Sequence, residues 1–302
     1  MHSASFHVTV VGAGAVGLSW TGLFLANGLR VTIHDQRPDI QLAALSGLEG
    51  IKCALQSLGY KIEKFTRHLS FEQKLHKAVC NADIIQESIP EDLEAKQVLY
   101  EKLGRFAKSS ALILSSSATL PASLITHKMI NAGRVLVGHP FNPPHLIPLV
   151  ELVPGKKTTQ KNIDSAMAFY RRLGKHPVLV QKETTGYVAN RLQFALLRES
   201  IHLVRSGIIT VDKLDEIVRA SLGPCLAAAG PFKSFALDSP NGLTHFLEQF
   251  DVETRTTLRK QSDDCYARVP VEDLQKEKEE GQIAILKALG KQWPHSHAPI
   301  VR

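Results

Sequence analysis

His7-Val-Thr-Val-Val-Gly-Ala-Gly-Ala-Val-Gly17 is the stretch of sequence that decides the fold of this chain. Its β-branched run is typical of a strand and stops at glycines, which lead into an apolar segment, 18–29, with helical spacing. A second β-branched run, Arg30-Val-Thr-Ile-His-Asp35, predicts another strand. The segment up to Asp35 therefore predicts a β-α-β unit of two parallel strands with a right-handed crossover.

The same alternation continues further along the chain. Ser70-Phe-Glu-Gln73 has the pattern of a capping box, which predicts the start of a helix. Periodicity predicts helices at 40–58, 93–106 and 120–129, and strands at 82–85, 112–115 and 134–138. Alternating strands and helices predict an α/β fold with a Rossmann-type, doubly wound and mostly parallel sheet.

A change of pattern after Lys182 predicts a second domain. From Gly186 onward the sequence has long amphipathic helical patterns and no convincing strand. These patterns cover 188–204, 211–222 and 271–289. We expect a dinucleotide-binding domain at 1–184 and an all-helical domain for substrate binding and dimerisation at 185–302, with the active site between them.

The glycines of the first segment predict a dinucleotide site. In the G-x-G-x-x-G motif, Gly12 makes a tight turn, Gly14 lets the backbone approach a pyrophosphate, and Gly17 allows close packing of helix on strand. The helix that follows adds positive potential at its N-terminus. Expected cofactor contacts in this turn are Gly12, Gly14, Ala15, Val16 and Gly17.

Asp35 favours NAD over NADP as the cofactor. It lies 18 residues after Gly17, where a carboxylate accepts hydrogen bonds from the adenosine ribose and repels a 2′-phosphate. Arg37 is an opposing signal, because an arginine here can serve NADP. The alternatives for Arg37 are a solvated loop residue and a stack on the adenine.

The second chemical signal is the segment Val137-Gly-His139-Pro-Phe-Asn-Pro-Pro-His-Leu-Ile-Pro-Leu-Val-Glu151-Leu-Val. Two short apolar strands flank a proline-rich loop, so His139 and Glu151 can lie side by side. A carboxylate fixes the tautomer of such a histidine and stabilises its imidazolium form. The pair is therefore a candidate general base for an alcohol whose hydride leaves to a dinucleotide.

These motifs carry a resemblance to a known family. His139-Pro-Phe-Asn-Pro-Pro, the following Leu-Val-Glu-Leu-Val-Pro, the upstream Ser115-Ser-Ser-Ala-Thr119 and the downstream Gly186-Tyr-Val-Ala-Asn190-Arg-Leu resemble the 3-hydroxyacyl-CoA dehydrogenase family. Within it, the first two are most similar to the λ-crystallin and L-gulonate 3-dehydrogenase branch. The similarity runs from about residue 7 to about residue 250.

The resemblance implies a role for several residues. It makes His139 the catalytic base, Glu151 its carboxylate partner and Asn190 a residue that holds the reacting oxygen. Glu91 and Lys96 match residues near the nicotinamide ribose and the cofactor pocket. Their alternative is the solvated start of a helix, where an acid is favourable.

Two positions depart from the family's pattern. Its catalytic serine falls on Thr119, in a segment one residue shorter, and a threonine hydroxyl can still donate and accept a hydrogen bond. Ser117, which is also expected to contact the cofactor, is the alternative match to the family's catalytic serine if this segment aligns differently with the family. Cys225 stands where the gulonate branch commonly has arginine, which predicts a less acidic or more apolar substrate than gulonate.

The expected function is the NAD-dependent interconversion of a 3-hydroxy acid, L-gulonate or a related one, and its 3-oxo form. One alternative is a 3-hydroxyacyl-CoA dehydrogenase or a specialised-pathway reductase of the same family. The other is a crystallin-like structural protein without turnover. By analogy with the family, a homodimer is expected.

Composition excludes other classes of protein. The 302 residues are 44% hydrophobic and 22% charged, as in a globular protein. The net charge of +7 suits an anionic ligand, but its basic residues are scattered and no nucleic-acid motif accompanies them. We expect no nucleic-acid or membrane partner, a cytoplasmic location, and no metal site or disulfide among Cys53, Cys80, Cys225 and Cys265.

Overall fold

The computed structural model describes residues 6–62, 65–238 and 270–290, together with residues 248, 250, 252, 254 and 256. Contacts between Cα atoms divide the chain into two compact units, Met1–Leu196 and Leu197–Arg302. The domain boundary predicted at 184–185 stays a prediction. Cys265 and the segment 293–302, for which the sequence predicts a frayed tail, lie outside the described residues.

The first unit alternates strands and helices. Its strands are β1 His7–Val11, β2 Arg30–His34, β3 Leu69–Phe71, β4 Ile84–Glu87, β5 Leu112–Ser115, β6 Val135–Pro140, β7 Leu149–Pro154 and β8 His176–Leu179. Its helices are α1 Ala15–Ala26, α2 Ile40–Ser57, α3 Leu75–Val79, α4 Leu93–Phe106, α5 Ala122–Ile125 and α6 Gln160–Arg172, with a 3₁₀ turn at Ala132–Arg134.

All eight strands form one sheet in the order β3-β2-β1-β4-β5-β6-β7-β8. Strands β1 to β6 are parallel, whereas β7 is antiparallel to β6 and β8 is parallel to β7. The order reverses between β1 and β4. In such a doubly wound sheet, ligands bind beyond the carboxyl ends of the strands at this point.

Two apolar layers cover the sheet. One contains Trp20 and Phe24 of α1, stacked at 5.5 Å, together with Phe169 and Tyr170 of α6. The other contains Tyr100 of α4 with residues of α3, α5 and the inner strands. Buried strands covered on both sides give the nearly continuous apolar runs seen in the sequence.

Several predicted elements need correction. The capping box at Ser70 is wrong, because Ser70 lies in β3, where its hydroxyl pairs with Thr32 Oγ1 at 2.9 Å. Pairing with β2 outweighs a local cap, and the next helix begins at Leu75. Of the helix predicted at 120–129, only Ala122–Ile125 is helical. Helix α6 and strand β8 had no counterpart among the predictions.

Helix α7, Ala189–Arg205, begins in the first unit and ends in the second. The second unit continues with α8 Val211–Ala220, α9 Leu222–Ala229, α10 Pro231–Asp238 and α11 Val271–Gly290. The helix predicted at 211–222 therefore ends at Ala220. Cys225 lies on α9, where its sulfur accepts from Gln282 Nε2 of α11 at 3.4 Å.

No strand occurs among the described residues beyond 186, as the sequence predicts. Within that part of the chain which the structure describes, no helix is both long and apolar enough to cross a membrane.

Candidate active site

The turn after β1 requires glycine at two positions. Gly12 has a φ of +90°, and a Cβ there would lie 2.7 Å from the Ser88 carbonyl oxygen. A Cβ on Gly17 would lie 1.9 Å from the Gly12 carbonyl oxygen. Since real Cβ atoms essentially never come this close, no other residue fits either position without a backbone shift.

Gly14 stands at the open end of the same turn. A Cβ built on it has no atom within 4 Å, and the residue is the N-cap of α1 without a side-chain cap. The first amides of a helix have no partner within it, and the first turn of α1 contains no acid. Free amides and open space beside Ala15 and Val16 fit the diphosphate of a dinucleotide.

Asp35 follows β2 directly, so it lies one residue beyond the strand that it was predicted to end. Its Oδ2 accepts from the Ala13 amide at 2.8 Å, and its Oδ1 accepts from the Arg37 amide at 3.0 Å. Burial alone would raise the pKa of Asp35, but these hydrogen bonds and the Arg37 guanidinium lower it. The carboxylate stays ionised at the carboxyl edge of the sheet.

A cavity of about 720 Å³ opens beside Asp35. Gly12, Asp35 and Ile89 line one part of it, at the ends of β1, β2 and β4. Val98, Lys102 and Phe106 line another, and sequence reasoning missed them. Their spacing of four residues along α4, on one face of the helix, is the signal that could have found them.

His139 and Glu151 are paired, as the sequence predicts. They lie opposite each other in the antiparallel β6–β7 ladder, and His139 Nδ1 is 2.9 Å from Glu151 Oε2. Both residues are buried, at 6% and 3% exposure. A histidine held so deeply at a strand end keeps one ring orientation.

The start of α7 fixes the carboxylate of this pair. Glu151 Oε1 accepts from the Val188 amide at 2.9 Å and from the Ala189 amide at 3.0 Å. Burial would raise the pKa of Glu151, but the hydrogen bonds from His139 and the two amides lower it. Glu151 is thus an ionised acceptor with both oxygens occupied.

The other ring nitrogen of His139 is free to react. Nε2 makes no hydrogen bond to any described residue. It is also absent from the fully buried unpaired polar atoms of the described chain, so a ligand can reach it. Tyr187 packs against the imidazole with ring centroids 5.2 Å apart. Sequence reasoning missed Tyr187, although it lies within the quoted Gly186-Tyr-Val-Ala-Asn190 motif.

Asn190 is the second residue of α7, as its predicted place at the start of a helix requires. Its side chain is partly exposed and makes no hydrogen bond within the described part of the chain. It lies one residue after Ala189, whose amide binds Glu151. Asn190 therefore directly follows a residue that binds Glu151, and the carbonyl oxygen and NH₂ group of its side chain are both available.

Glu91 binds the segment that follows β5 through several hydrogen bonds. Its Oε1 accepts from Ser117 Oγ at 2.6 Å, from Thr119 Oγ1 at 2.8 Å and from the amides of Thr119 and Leu120. These hydrogen bonds lower the pKa of Glu91, although burial raises it. Glu91 is exposed, but its side chain is fixed and holds both candidate hydroxyl residues.

Ser117 and Thr119 differ in access. Ser117 is 1% exposed, and its hydroxyl is enclosed by Glu91, the Leu120 carbonyl and the Leu120 amide. Thr119 is exposed. Its proton points to Glu91, so its oxygen can accept a further hydrogen bond from solvent or a ligand.

Lys96 is also buried, which excludes the solvated alternative for it. Its ammonium is 2.6 Å from Glu87 Oε1 and 3.6 Å from Glu91 Oε2. Glu87, at the end of β4, further accepts from Ser115 Oγ at 2.6 Å and Tyr100 OH at 3.1 Å. Sequence reasoning missed Glu87; the signal was an acid at the end of the strand that begins with Ile84-Ile85.

The loop between β6 and β7 is held from two sides. His145 pairs its Nδ1 with Ser19 Oγ of α1 at 2.8 Å. The Lys175 ammonium donates to the carbonyls of Pro144 and Ile147. Burial lowers the pKa of Lys175 to about 8.

The structure brings the predicted residues to one edge of the sheet. The glycine turn follows β1, Glu91 follows β4, Ser117 and Thr119 follow β5, and His139 lies near the end of β6. Tyr187 links the last two groups, since it contacts His139 and donates to the Leu120 carbonyl at 3.1 Å. Cys225 belongs to the second unit.

Family models match nearly the whole described chain. The model of the 3-hydroxyacyl-CoA dehydrogenase NAD-binding domain matches residues 7–184. The model of the 3-hydroxyacyl-CoA dehydrogenase C-terminal domain matches residues 186–281.

Two relatives illustrate the similarity in sequence. An L-carnitine dehydrogenase of Oceanobacillus iheyensis is 34% identical, over 95% of this chain and 99% of its own length. A 3-hydroxyacyl-CoA dehydrogenase of Gibberella moniliformis is 38% identical, over 81% of this chain and 76% of its own length.

Solved structures share the fold. The crystal structure of 5-formyl-3-hydroxy-2-methylpyridine-4-carboxylic acid 5-dehydrogenase, described as an NAD⁺-dependent dismutase, superposes with a TM-score of 0.73. It is 26% identical, and the match covers 94% of this chain and 98% of that one. A 3-hydroxyacyl-CoA dehydrogenase of Archaeoglobus fulgidus, at 23% identity and a TM-score of 0.71, has the same fold over 94% of this chain and 99% of its own.

Proposed function

This chain belongs to the 3-hydroxyacyl-CoA dehydrogenase family, and on that premise we propose that it oxidises the 3-hydroxyl of a small free carboxylic acid. Family membership makes it an NAD-dependent oxidoreductase that acts on CH–OH groups. The observation that carries the proposal is the buried His139–Glu151 pair with a free Nε2 at the edge of the dinucleotide sheet.

His139 acts as the general base. An alcohol loses its hydroxyl proton when its carbon gives up hydride, and His139 Nε2 takes that proton because Nδ1 is bound to Glu151. The imidazolium that forms is stabilised by Glu151, which the amides of Val188 and Ala189 hold ionised. In the opposite direction the same nitrogen returns the proton to the 3-oxo oxygen.

Thr119 and Asn190 orient the reacting oxygen. The substrate hydroxyl gives its single proton to His139, and Asn190 donates from its side-chain NH₂ group to the hydroxyl oxygen. Thr119 Oγ1 donates to Glu91 in this structure, so it donates to the substrate oxygen when its hydroxyl rotates away from Glu91. Lys96 acts through Glu91, whose second oxygen it faces at 3.6 Å. Positioning of this kind is worth several orders of magnitude in rate.

NAD supplies the redox chemistry when it is bound, by accepting the hydride. The residues that would hold it are the glycine turn, Gly12 to Gly17, and Asp35 at the adenosine ribose. Glu91 would lie on the nicotinamide side, and Lys96 and Ser117, each 1% exposed, would support it from behind. Open space at Gly14 and the free amides of α1 support this assignment.

L-Carnitine is the first candidate substrate. It is a free 3-hydroxy acid, and relatives named L-carnitine dehydrogenase match 94–95% of this chain at 32–34% identity. L-Gulonate, which the motifs alone favour, is the second member of the same substrate class. Each relative named above is an enzyme by its description, so the crystallin-like alternative gains no support.

A CoA thioester is the second candidate function. The relative with 38% identity is named a 3-hydroxyacyl-CoA dehydrogenase, and the chain's net charge of +7 suits a polyanionic substrate. The two functions differ in a measurable way, because a free acid and its thioester share the reacting carbon and differ in everything beyond the carboxyl group.

A homodimer completes the proposal. Helix α7 is 17 residues long and has no buried residue. Its exposed apolar side chains are Leu192, Phe194, Leu196, Leu197 and Ile201. An apolar helix surface of this extent supports contact with a second copy, and light scattering should then give twice the 33.2 kDa of one chain.

The test is formation of NADH in the presence of four substrates: L-carnitine, L-gulonate, 3-hydroxybutyrate and 3-hydroxybutyryl-CoA. The proposal expects the highest kcat/KM with one of the free acids. Turnover of the thioester alone would replace it with the second candidate. Turnover of none, by a protein that still binds NADH, would contradict both.

A further inference from the structure

The carboxylate of Asp35 is already saturated by this chain's own donors. Besides the two amides described above, the Arg37 guanidinium donates from Nε to Oδ1 at 3.0 Å and from Nη2 to Oδ2 at 3.2 Å. A carboxylate accepts about four hydrogen bonds. Both oxygens of Asp35 are thus occupied twice, and Arg37 supplies three of the four donors.

Arg37 is fixed by a further contact. Its Nη2 also donates to the Ala13 carbonyl at 2.8 Å, in the middle of the glycine turn. The side chain lies across the gap between the turn and Asp35, although it is 49% exposed. Asp35 raises the pKa of Arg37, first by hydrogen bonding and then by its charge.

Ribose hydroxyls must compete with this guanidinium. An adenosine ribose that donates to Asp35 can do so only where Arg37 gives up a hydrogen bond. Once displaced, the guanidinium remains within reach of the same place, which is where NADP carries its 2′-phosphate. A planar guanidinium matches a phosphate with two parallel hydrogen bonds.

The charge balance of this place differs from that of a site with Asp alone. An unpaired carboxylate repels a 2′-phosphate, whereas Asp35 paired with Arg37 has no net charge. Arg37 therefore weakens the main obstacle to NADP and adds a donor for it.

We propose that Arg37 sets the cofactor selectivity of this enzyme, because it competes with the ribose of NAD for Asp35 and neutralises the site for NADP as a second cofactor. The proposal concerns binding of the dinucleotide and goes beyond the proposed reaction. It stands or falls independently of which substrate is oxidised.

Dissociation constants of NADH and NADPH, measured by cofactor fluorescence without substrate on the full chain, test it. Arg37→Ala should weaken NADPH about tenfold, the loss expected for an exposed forked contact, and should leave NADH equal or tighter. The ratio of the two constants then shifts about tenfold or more in favour of NADH. Arg37→Lys keeps the charge without the fork and should give an intermediate ratio.

Arg30→Ala is the matched control. Arg30 is an exposed arginine at the first residue of β2, so its removal changes the net charge equally at the opposite end of the strand that leads to Asp35. It should leave the ratio of the two constants unchanged. The proposal is overturned if Arg37→Ala weakens both cofactors equally, or if it shifts the ratio no more than Arg30→Ala does.

Discussion

Glu151 and Glu91 are two carboxylates held in the same way at the same edge of the sheet. Each accepts from two consecutive backbone amides, those of Val188 and Ala189 for Glu151 and those of Thr119 and Leu120 for Glu91. They differ in what the second oxygen meets. Glu151 meets a histidine with one free nitrogen, whereas Glu91 faces a lysine.

This difference means that the group held by Glu151 is available for proton transfer, whereas the group that faces Glu91 is bound within the protein. His139 keeps Nε2 available, so the Glu151 end can move a proton. The ammonium of Lys96 is bound to Glu87 and to the Ile89 carbonyl, so the Glu91 end is closed by the protein itself. Glu151 thus holds a histidine with a free nitrogen, whereas Glu91 holds the segment that contains Thr119.

The largest effect on kcat is expected from removal of the His139 imidazole. His139→Ala should lower kcat about 10³-fold, within the range that general bases contribute. NADH binding should stay close to wild type, because His139 lies outside the glycine turn. His127→Ala, an exposed histidine elsewhere, is the control. Retention of more than a few per cent of the activity would show that His139 is not the base.

The second largest effect on kcat is expected from removal of the negative charge of Glu151. In Glu151→Gln the side-chain oxygen still accepts from the amides of Val188 and Ala189, but the new NH₂ group faces His139 Nδ1 and forces the proton to Nε2. A base that already carries its proton cannot accept another, so kcat should fall about 10²-fold or more while folding changes little. Wild-type turnover in this variant would mean that Glu151 serves structure alone.

At the Glu91 end, loss of the Lys96–Glu87 ion pair should lower the stability of the fold. Glu87→Gln removes the carboxylate charge 2.6 Å from the buried Lys96 ammonium, which costs about 3–5 kcal/mol in the free energy of unfolding. Glu101→Gln removes the exposed pair with Arg105 and should cost less than about 1 kcal/mol. Equal costs in urea unfolding would contradict the view that the buried Lys96–Glu87 pair stabilises the Glu91 end.

The smallest effect concerns the loop that joins the paired strands. Lys175 has a folded pKa of about 8 and an ordinary value of 10.5. Between these values the unfolded chain holds a proton that the folded chain has released, so stability rises with pH. Relative to Lys175→Met, the wild type should gain at most about 3 kcal/mol from pH 8 to 10.5. A constant difference between the two proteins over this range would contradict the burial of a charged lysine.

The parts of the molecule with local signals could be predicted from the sequence. Helix α4 and strand β5 begin and end where the periodicity predicts. The pairing of His139 with Glu151 was also predictable and is confirmed as geometry, because two short strands around a turn place fixed positions opposite each other. Their catalytic roles stay predictions.

Other parts had signals that pointed elsewhere or none at all. Ser70 has the right neighbours for a helix cap, yet its backbone pairs with β2. Glu87 lies at the end of a buried strand, and its partners Lys96 and Tyr100 come from a helix several residues later. Nothing local in sequence tells which of many acids will be buried against a lysine.

The sequence by itself determined the glycine turn, the alternation of strands and helices, and the histidine with its carboxylate. Each of these depends on residue type and short spacing, which act through φ, pleat and helical period. Only the tertiary structure decided that Glu91 holds Thr119, that Glu87 neutralises Lys96 and that Arg37 occupies Asp35. Those contacts join side chains across separate elements, and their energy exists only once the sheet has brought the strand ends together.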